Sequence, residues 1–507
     1  MAKLTSDLSS VNPVILVSAA LVCCVAFVYV RSRLGRLSSS SHRPRSPRRL
    51  PVIGNLHQLG ASAHQSLHAL SLKYGPLMLM HFGSVPTYVV SSGELARQVM
   101  KTCEAEFPAR VMTEASRTLF EGGEDLLLNP AGTRTTLARK VCVSGILSLK
   151  RVQALQFIRE EEVASLVAKL RRLVNDDRGA RVNLSDLFLT LASTTLSRAI
   201  LGLKSADESN RVMGQLAQQA SNLLGEVTAV GDYIPALSWV DHLRGLTRNA
   251  KRVSRAVHEF LDRVIDEHIE KQNDDDDDDR KYFVDILLEL QAKKDVIGGH
   301  ELTRKEIRAV LLTLFIAGID SSATTLECTM KEIVKNPRIM RKLQQEIRGV
   351  VGNKSNILQS DLNQMEYLKC VIKETLRLHS PKLVARQASE DVDVGGFRIP
   401  AKGVVLVNVW AIHRDPDTWD RPLEYLPERF VDACYDYTGQ DQKYFPFSLG
   451  RRICPGVQFA MFSIEYALAN VLCWFDWELP DGMSAQDFDM SAMPLHLVPV
   501  PPSHGSL

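Results

Sequence analysis

Apolar residues recur every three or four positions along most of the chain after residue 58. Phe157 to Leu173 and Val253 to His268 are two examples, and this spacing places apolar side chains on one face of a helix. Short β-prone runs, such as Tyr88 to Ser91 and Val404 to Val409, predict a few strands. The sequence has no internal repeat and no linker within this region. The pattern therefore predicts one large, mainly helical domain over residues 58–507, with a small β-rich part.

The amino terminus differs from the rest of the chain in composition. Every residue from Val14 to Val30 is apolar or small, and extension back to Val11 gives about the 20 residues that a membrane-spanning helix needs. Seven arginines follow between Arg31 and Arg49, and the first acidic residue after them is Glu94. The positive-inside rule then predicts that the rest of the chain faces the cytosol. A cleaved signal peptide is the alternative, but a basic flank on the carboxyl side disfavours it. Residues 1–30 are predicted to be a single-pass anchor.

Residues 31–57 connect this anchor to the domain. Pro44, Pro47 and Pro51 cannot continue a helix, because each lacks an amide donor and disfavours helix in the residue before it. We predict a stiff basic hinge. A basic tether that binds anionic lipid headgroups is compatible with the same residues.

Composition and charge narrow the class of protein. The 507 residues carry a net charge of +2 with a pI near 8.0, which is too balanced to indicate a nucleic-acid partner. The six acidic residues Asp274–Asp279 predict a solvated surface loop. The nine cysteines are scattered and form no CxxC pair, which fits a reducing, cytosol-facing location.

One predicted helix has an unusual centre. Thr303 and Glu306 form a capping-box pattern, and Pro337 marks the far end. Gly318 in its interior costs about 1 kcal/mol relative to alanine. The polar residues that follow it, up to Ser322, can draw hydrogen bonds away from the backbone ladder. This weak point indicates either a functional segment or a tolerated glycine followed by hydroxyls that bond back to the preceding turn.

A cysteine lies at the start of the last predicted helix. The segment Phe445–Gly456 reads FPFSLGRRICPG, and an apolar-periodic stretch follows from Val457 to Leu472. Helix amino termini stabilise a thiolate through the dipole and free amides. Gly450 and Gly456 allow the backbone to approach a flat ligand closely. Cys454 is therefore the leading candidate for a metal ligand, although a buried inert thiol is the usual fate of a single cysteine.

The joint pattern FxxGxRxCxG, from Phe447 to Gly456, resembles the haem-binding loop of the cytochrome P-450 family. The chain is similar to plant microsomal members, of the A type, from the anchor to Val500. The resemblance implies a mainly α cytochrome P-450 fold with a small β-rich subdomain, preceded by one N-terminal transmembrane helix. It also implies haem b, with the iron held axially by Cys454 and with Phe447, Gly450 and Gly456 in the cofactor-binding loop.

Two further motifs match the family in its order. Glu374-Thr-Leu-Arg377 resembles the ExxR helix, and Pro427-Glu-Arg429-Phe430 resembles the PERF segment. Glu374 and Arg377 lie three residues apart and share one helix face, so they can pair, and Arg429 is able to complete a three-way network. The resemblance gives all three a structural role in supporting the haem-side core.

The helix centre Ala317–Ser322 resembles the oxygen-binding AGxDT segment of the family. The resemblance implies that Ala317 and Gly318 lie at the cofactor, with the glycine opening room over the iron. It also implies that Asp320 and Ser321 are catalytic and help to deliver protons. Ser321 stands where threonine is usual. Serine lacks the methyl group that restricts the rotamer, which predicts poorer coupling of electron use to product.

By the family pattern, Arg452, Arg386 and Arg139 contact the haem propionates, because guanidinium groups suit paired carboxylate oxygens. Two departures bear on this picture. Thr135 stands where the family usually has tryptophan. The stretch Met490 to Val498 looks shorter than the last strand hairpin of the family, which predicts a more open pocket.

The implied substrate is a lipophilic small molecule. An apolar distal pocket is expected from side chains on the two walls, and the segments 110–125 and 212–224 would select among terpenoids, phenylpropanoids and alkaloid precursors. The predicted pocket residues are Leu311, Leu314, Phe315, Ala317, Leu383 and Val384.

Electrons must come from outside, because the sequence has no Rossmann glycine fingerprint or flavin-binding segment. The resemblance implies NADPH-cytochrome P-450 reductase, and cytochrome b5 as a further partner, on the endoplasmic reticulum membrane. Arg451 and Lys443 lie on the expected docking face. Two alternatives stay open: a thiolate-haem isomerase or dehydratase that needs no reductase, against which Asp320 and Ser321 argue, and a membrane haem-binding protein without turnover.

Overall fold

The computed structural model describes residues 43–121, 133–177, 179–203, 208–225, 229–273, 281–292, 301–433, 435–437, 439–491 and 494–502. Helices dominate these ranges, as the spacing of apolar residues predicted. The helices are α1 Ala63–Tyr74, α2 Gly93–Arg97, α3 Glu114–Leu119, α4 Thr133–Lys140, α5 Leu149–Ala154, α6 Gln156–Asp176, α7 Leu184–Leu201, α8 Glu208–Gly225, α9 Val230–Tyr233, α10 Ser238–Leu243, α11 Leu246–Asn273, α12 Phe283–Ala292, α13 Arg304–Lys335, α14 Pro337–Val351, α15 Glu366–His379, α16 Val409–Ile412 and α17 Val457–Trp474.

Nine strands form the smaller β part of the described chain. They are β1 Leu77–Phe82, β2 Val85–Val90, β3 Val182–Asn183, β4 Val384–Gln387, β5 Val392–Val394, β6 Phe397–Ile399, β7 Val404–Val407, β8 Asp476–Glu478 and β9 His496–Val500. The main sheet has the order β1-β2-β7-β4, in which β2 and β7 are parallel and the other pairs are antiparallel. The smaller sheets are β3-β9-β8 and β5-β6.

Helix α13 begins where its capping box predicted. The Thr303 side chain accepts a hydrogen bond from the Glu306 amide, and the Glu306 carboxylate accepts one from the Thr303 amide at 2.8 Å. The helix ends before Pro337, which starts α14. Reciprocal capping satisfies two amide donors that a helix start otherwise leaves free.

Helices α13 and α17 cross the main hydrophobic core. Both are long and apolar enough to span a membrane, but 61% and 67% of their most apolar windows are buried inside the protein. They are therefore the central core helices. The predicted span Val14–Val30 and the acidic run Asp274–Asp279 lie outside the described residues.

The sheet end of the molecule joins distant parts of the chain. The parallel pair places Thr87–Val90 beside Val404–Val407. The Asn408 side chain donates to the His64 carbonyl of α1 at 2.8 Å, across 344 positions of sequence.

The segment predicted as a hinge is partly docked. The Leu79 amide donates to the Arg45 carbonyl at 3.0 Å, and the His81 amide donates to the buried side chain of Asn55 at 2.8 Å. Gly54 forms an isolated bridge to Phe82. Residues 45–55 therefore contact the main sheet, and the division of the chain at residue 58 stays a prediction.

Candidate active site

The Cys454 loop is a tight hairpin that ends at the amino terminus of α17. The Cys454 amide donates to the Phe447 carbonyl at 2.9 Å, and Ser448 and Gly450 have φ values of 75° and 68°. A side chain on Gly450 would overlap the Met100 carbonyl. Gly450 therefore permits close packing against the neighbouring backbone, and its role in the approach of a flat ligand stays a prediction.

The groups around the Cys454 sulfur have opposing effects on the pKa of its thiol. Burial raises the pKa of the Cys454 thiol overall, while the Gly456 amide, which donates to the sulfur, and the nearby Arg139 and Arg110 guanidinium groups lower the pKa. Cys454 is exposed and borders a cavity of about 510 Å³ that Arg451 and Gln458 also line. A metal ion bound to the sulfur would displace the proton, because a coordinating thiol is deprotonated. The accessible thiol and its amide donor fit an axial ligand to haem iron.

Four arginines converge beside this loop. Arg386 of β4 is 2% exposed, and burial lowers its pKa to about 9, with Arg110, Arg452 and Arg139 acting in the same direction. Such a concentration of positive charge is unfavourable unless an anion joins it. The two propionates of a haem would supply that anion, so these residues fit the cofactor.

Protein oxygens already orient the arginine cluster. Arg452 donates to the Pro108 carbonyl at 2.6 Å, Arg386 donates to the Ser448 hydroxyl at 3.2 Å, and Arg139 donates to the Ile453 carbonyl. The sequence prediction named Arg139, Arg386 and Arg452, and the structure brings them together. It missed Arg110, a single arginine after Phe107-Pro108-Ala109 that no sequence periodicity marks. The side chain of Thr135 lies outside the described residues.

The ExxR pair forms a fully buried network. Arg377 Nε and Nη2 donate to the two Glu374 oxygens at 2.7 and 2.9 Å, and neither side chain is exposed. Arg429 Nε donates to the same carboxylate at 3.1 Å, as does the Leu426 amide at 2.8 Å. The predicted three-way network is therefore present.

A buried histidine links this network to the Cys454 loop. His413 Nε2 accepts from the Phe445 amide at 3.2 Å, and its Nδ1 lies 3.1 Å from the Arg377 carbonyl. Nδ1 therefore carries the proton and donates. Burial and then the positive charge of Arg377 lower the pKa of His413 to about 3. Sequence analysis gave His413 no role, because nothing in the linear pattern separates it from a surface histidine.

One face of the core helix α13 borders open space around the middle of the helix. Ala317, Ser321 and Thr324 are exposed on it at helical spacing. The Ser321 hydroxyl donates to the Ala317 carbonyl at 2.7 Å, and Asp320 accepts a hydrogen bond from Ser221 of α8. Asp320 and Ser321 are thus adjacent in sequence but directed to different partners.

Gly318 does not face the same space. A Cβ atom built on it would lie 2.7 Å from Leu196 Cδ1 of α7, so the glycine lets α7 and α13 pack closely. The role of opening room over the iron stays a prediction.

The residues predicted to line the pocket belong to different parts of the core. Leu311 and Phe315 are fully buried in the main core, because α13 is apolar on several sides and its pattern does not reveal which side borders a cavity. Leu314 is half-buried, and Leu383 and Val384 pack against the two smaller cores near the sheets.

The Cys454 loop, the arginine cluster and the helical core fit a haem enzyme with a thiolate ligand, and the comparisons give the family. A family model described as "Cytochrome P450" matches residues 44–504. The phenylacetaldehyde oxime monooxygenase of Prunus mume is 43% identical over 501 residues, covering 95% of this chain and 94% of that protein. The indoleacetaldoxime dehydratase of Arabidopsis thaliana is 41% identical over 480 residues, covering 94% and 95%.

The chain therefore belongs to the cytochrome P450 family and is a P450 monooxygenase with plant relatives. A solved structure of a zebra fish cytochrome P450 with progesterone has the same fold, with a TM-score of 0.74 at 22% identity over 87% of this chain and 100% of that one. Haem is the cofactor that membership implies.

Proposed function

We propose that this chain is a membrane-bound monooxygenase that uses electrons from NADPH through a separate reductase, and oxygen from O2, to oxidise a lipophilic small molecule. The observation that carries the proposal is the accessible Cys454 sulfur, held by the Gly456 amide beside converging guanidinium groups. Bound haem supplies a thiolate-ligated iron that activates dioxygen. Cys454 would hold the iron, and Arg110, Arg139, Arg386 and Arg452 would hold the propionates.

Ser321 and Asp320 are proposed to manage protons on the distal side. The Ser321 hydrogen is committed to the Ala317 carbonyl, so the hydroxyl oxygen presents its lone pairs to the distal space and orients a proton donor there. Asp320, held by Ser221 of α8, is placed to pass protons from the α8 side towards that space. Threonine at position 321 would make the same hydrogen bond with a more restricted rotamer.

The substrate is proposed to be a plant specialised metabolite. The small exposed side chain of Ala317 and half-buried Leu314 leave apolar room on the open face of α13, and exposed Thr324 adds a hydroxyl group about one turn beyond Ser321. Two relatives act, by name, on oximes of aromatic acetaldehydes, so arylacetaldoximes are the first compounds to assay. Terpenoid, phenylpropanoid and alkaloid precursors complete the panel.

Dehydration of an aldoxime is the second candidate, favoured by the named dehydratase relative. Loss of water from an aldoxime gives a nitrile without net oxidation, so it consumes no NADPH. Oxygenation consumes one NADPH and one O2 for each product molecule. The amounts of NADPH and O2 consumed for each molecule of product, none for dehydration and one of each for oxygenation, therefore separate the two reactions.

The test begins with reduced protein and carbon monoxide in microsomes. We expect the thiolate-type Soret band from the wild type and its loss in Cys454→Ala, because alanine offers no sulfur ligand. Cys473→Ala, at a buried thiol at the opposite end of α17 from the loop, should keep the band. Persistence of the band in Cys454→Ala would refute the ligand assignment. Product formation from the panel, with substrate-dependent NADPH use, then tests the reaction.

Reductase docking is proposed for the exposed surface around Arg451 and Lys443, behind the Cys454 loop. The Arg451 side chain is 78% exposed and pairs with Glu104 at 2.9 Å, while Lys443 is also exposed. We expect the double variant Arg451→Glu, Lys443→Glu to raise the KM for reductase several-fold, with a normal carbon monoxide spectrum. Arg211→Glu, a charge reversal at an exposed site on α8, is the control for each single variant.

A further inference from the structure

A buried arginine lies outside the haem site, among helices α6, α7, α13 and α17. Arg159 of α6 is 2% exposed. Its Nη1 donates to the Val152 carbonyl at 3.0 Å, while Nε and Nη2 are buried without a hydrogen-bond partner among the described residues. Two donors on one guanidinium are thus unsatisfied in the protein interior, which is rare in folded proteins.

The charge of Arg159 is poorly compensated. Within the described residues it forms no ion pair, and Glu160, the next residue, raises its pKa without forming one. The rings of Phe459 and Phe462 lie 6.0 and 5.8 Å from the guanidinium carbon. Cation–π attraction at this distance is smaller than the cost of removing a guanidinium from water. Burial lowers the pKa of Arg159 to about 10, so the group is still charged at neutral pH.

Arg159 borders a small cavity. The cavity measures about 20 Å³, and Thr195, Ser322 and Ser463 contribute hydroxyl groups to its wall. The Ser463 hydroxyl donates to the Phe459 carbonyl at 2.8 Å. Apolar side chains complete the wall, and none of the described residues that line it is acidic. The space exceeds the roughly 10–15 Å³ that one water-sized particle requires.

We propose that this cavity is a binding site for a small monovalent anion of the halide class. Nε and Nη2 of Arg159 supply two charged donors, and the Thr195 and Ser322 hydroxyls are able to rotate towards the same point. A water molecule would satisfy the N–H groups but leave the positive charge uncompensated. Sulfate and phosphate are too large for the space, and the apolar wall offers no further partners to them.

The anion would bridge α6 and α7 to α13 from behind the open face. Ser322 directly follows Ser321, so an occupied site braces the segment that presents the proposed proton-handling pair. The stability effect does not depend on which reaction the enzyme performs. Failure of the anion test therefore leaves the proposed function untouched.

The first experiment is thermal unfolding of the haem-loaded protein in sodium bromide and in sodium gluconate of equal ionic strength, since gluconate is too large to enter. We expect bromide to raise the Tm of the wild type by about 2 °C in a saturable manner. Arg159→Met should lose this difference. Arg171→Met is the matched control, because Arg171 lies on the same helix over the Trp474 ring at 5.2 Å but is exposed; it should keep the bromide effect.

The second experiment locates the ion and needs no variant. Crystals of the wild-type protein soaked in bromide should give an anomalous peak within hydrogen-bond distance of Arg159 Nε and Nη2. An equal Tm in the two salts together with density but no anomalous signal would overturn the proposal in favour of a buried water. If Arg159→Met does not fold, the presence or absence of the anomalous peak decides.

Discussion

Glu374 illustrates how one residue supports the whole haem side of the protein. Its buried carboxylate accepts hydrogen bonds from Arg377, Arg429 and the Leu426 amide. Arg377 in turn donates to the carbonyls of His413 and Pro422. A single buried negative charge thus fixes α15 against the loop that precedes Cys454, and neighbouring positive groups depend on it.

Replacement of Glu374 by glutamine should therefore strongly lower the stability of the protein. The shape is retained, but Arg377 and Arg429 keep their charges in a buried site without a counter-charge, which costs about 3–5 kcal/mol of unfolding free energy. We expect little haem-loaded protein by carbon monoxide spectroscopy and a lowered midpoint in urea. Arg211→Ala removes an exposed pair with Glu208 and should change neither quantity. A Glu374→Gln protein with normal haem content and midpoint would show that the network is dispensable.

His413 predicts a specific acid sensitivity. Its pKa is about 3 in the folded protein and about 6.5 when unfolded, so the unfolded state binds more protons between these values. Stability contributed by neutral His413 is complete above pH 6.5 and is lost as pH falls towards 3, at up to about 1.4 kcal/mol per pH unit.

We expect His413→Asn to lower stability at pH 8 and to reduce the dependence of urea midpoints on pH between 6 and 4. His242→Asn, at an exposed position, is the control and should keep the wild-type slope. An unchanged slope in His413→Asn would mean that other groups cause the acid sensitivity.

At the scale of elements, the contact between α7 and α13 depends on Gly318. Gly318→Ala places a methyl group against Leu196 Cδ1, which lies 2.7 Å from the Cβ position. Overpacking of this kind costs about 1–3 kcal/mol. Gly349→Ala on α14 has open space around it and should instead stabilise the protein by about 0.5–1 kcal/mol.

Urea unfolding of both variants and of the double variant Gly318→Ala, Leu196→Ala separates space from helix propensity. With Leu196→Ala measured alone as well, the double variant should lose less stability than the sum of the two single changes if the clash is the cause. If Gly318→Ala is as stable as the wild type, α7 is able to move away freely and the packing role is wrong.

The elements also show what the sequence is able to predict. The bounds of α13 followed from Thr303, Glu306 and Pro337, and the Glu374–Arg377 pair from a three-residue spacing, because these signals are local. The contact of Asp320 with Ser221 joins positions 99 residues apart, and no local rule specifies it. Arg110 and His413 were missed for the same reason.

At the scale of the whole molecule, exposed apolar side chains gather at the sheet end. The turn between β1 and β2 binds two segments: the Gly83 amide donates to the Ile53 carbonyl at 3.2 Å, and the Ser84 amide donates to the Tyr233 carbonyl at 2.9 Å. Leu50, Val52 and Ile53 are 48%, 47% and 36% exposed near the first segment. On α10, after the second segment, Trp239 and Leu243 are 57% and 78% exposed. An apolar patch of this kind suits a membrane surface.

This patch predicts two levels of membrane attachment. A protein that lacks residues 1–30 should bind haem and pellet with liposomes, but be released by alkaline carbonate. Addition of Trp239→Ser and Leu243→Ser should make it stay in the supernatant. Leu423→Ser, at an exposed leucine in the loop before Pro427, is the control. If all these proteins pellet equally, the patch does not contribute to membrane binding.

The hydrogen bond between Asn408 and His64 also has a consequence for synthesis. At about 5–20 residues per second, the ribosome needs roughly 20 to 70 s to make the intervening 344 residues. Throughout that time the edge of β2 that later receives β7 has no partner strand and is exposed to pairing with other nascent chains. Slower translation lengthens this interval and should therefore lower the yield of this enzyme in a foreign host. Chaperones that shield the first hundred residues should raise the yield.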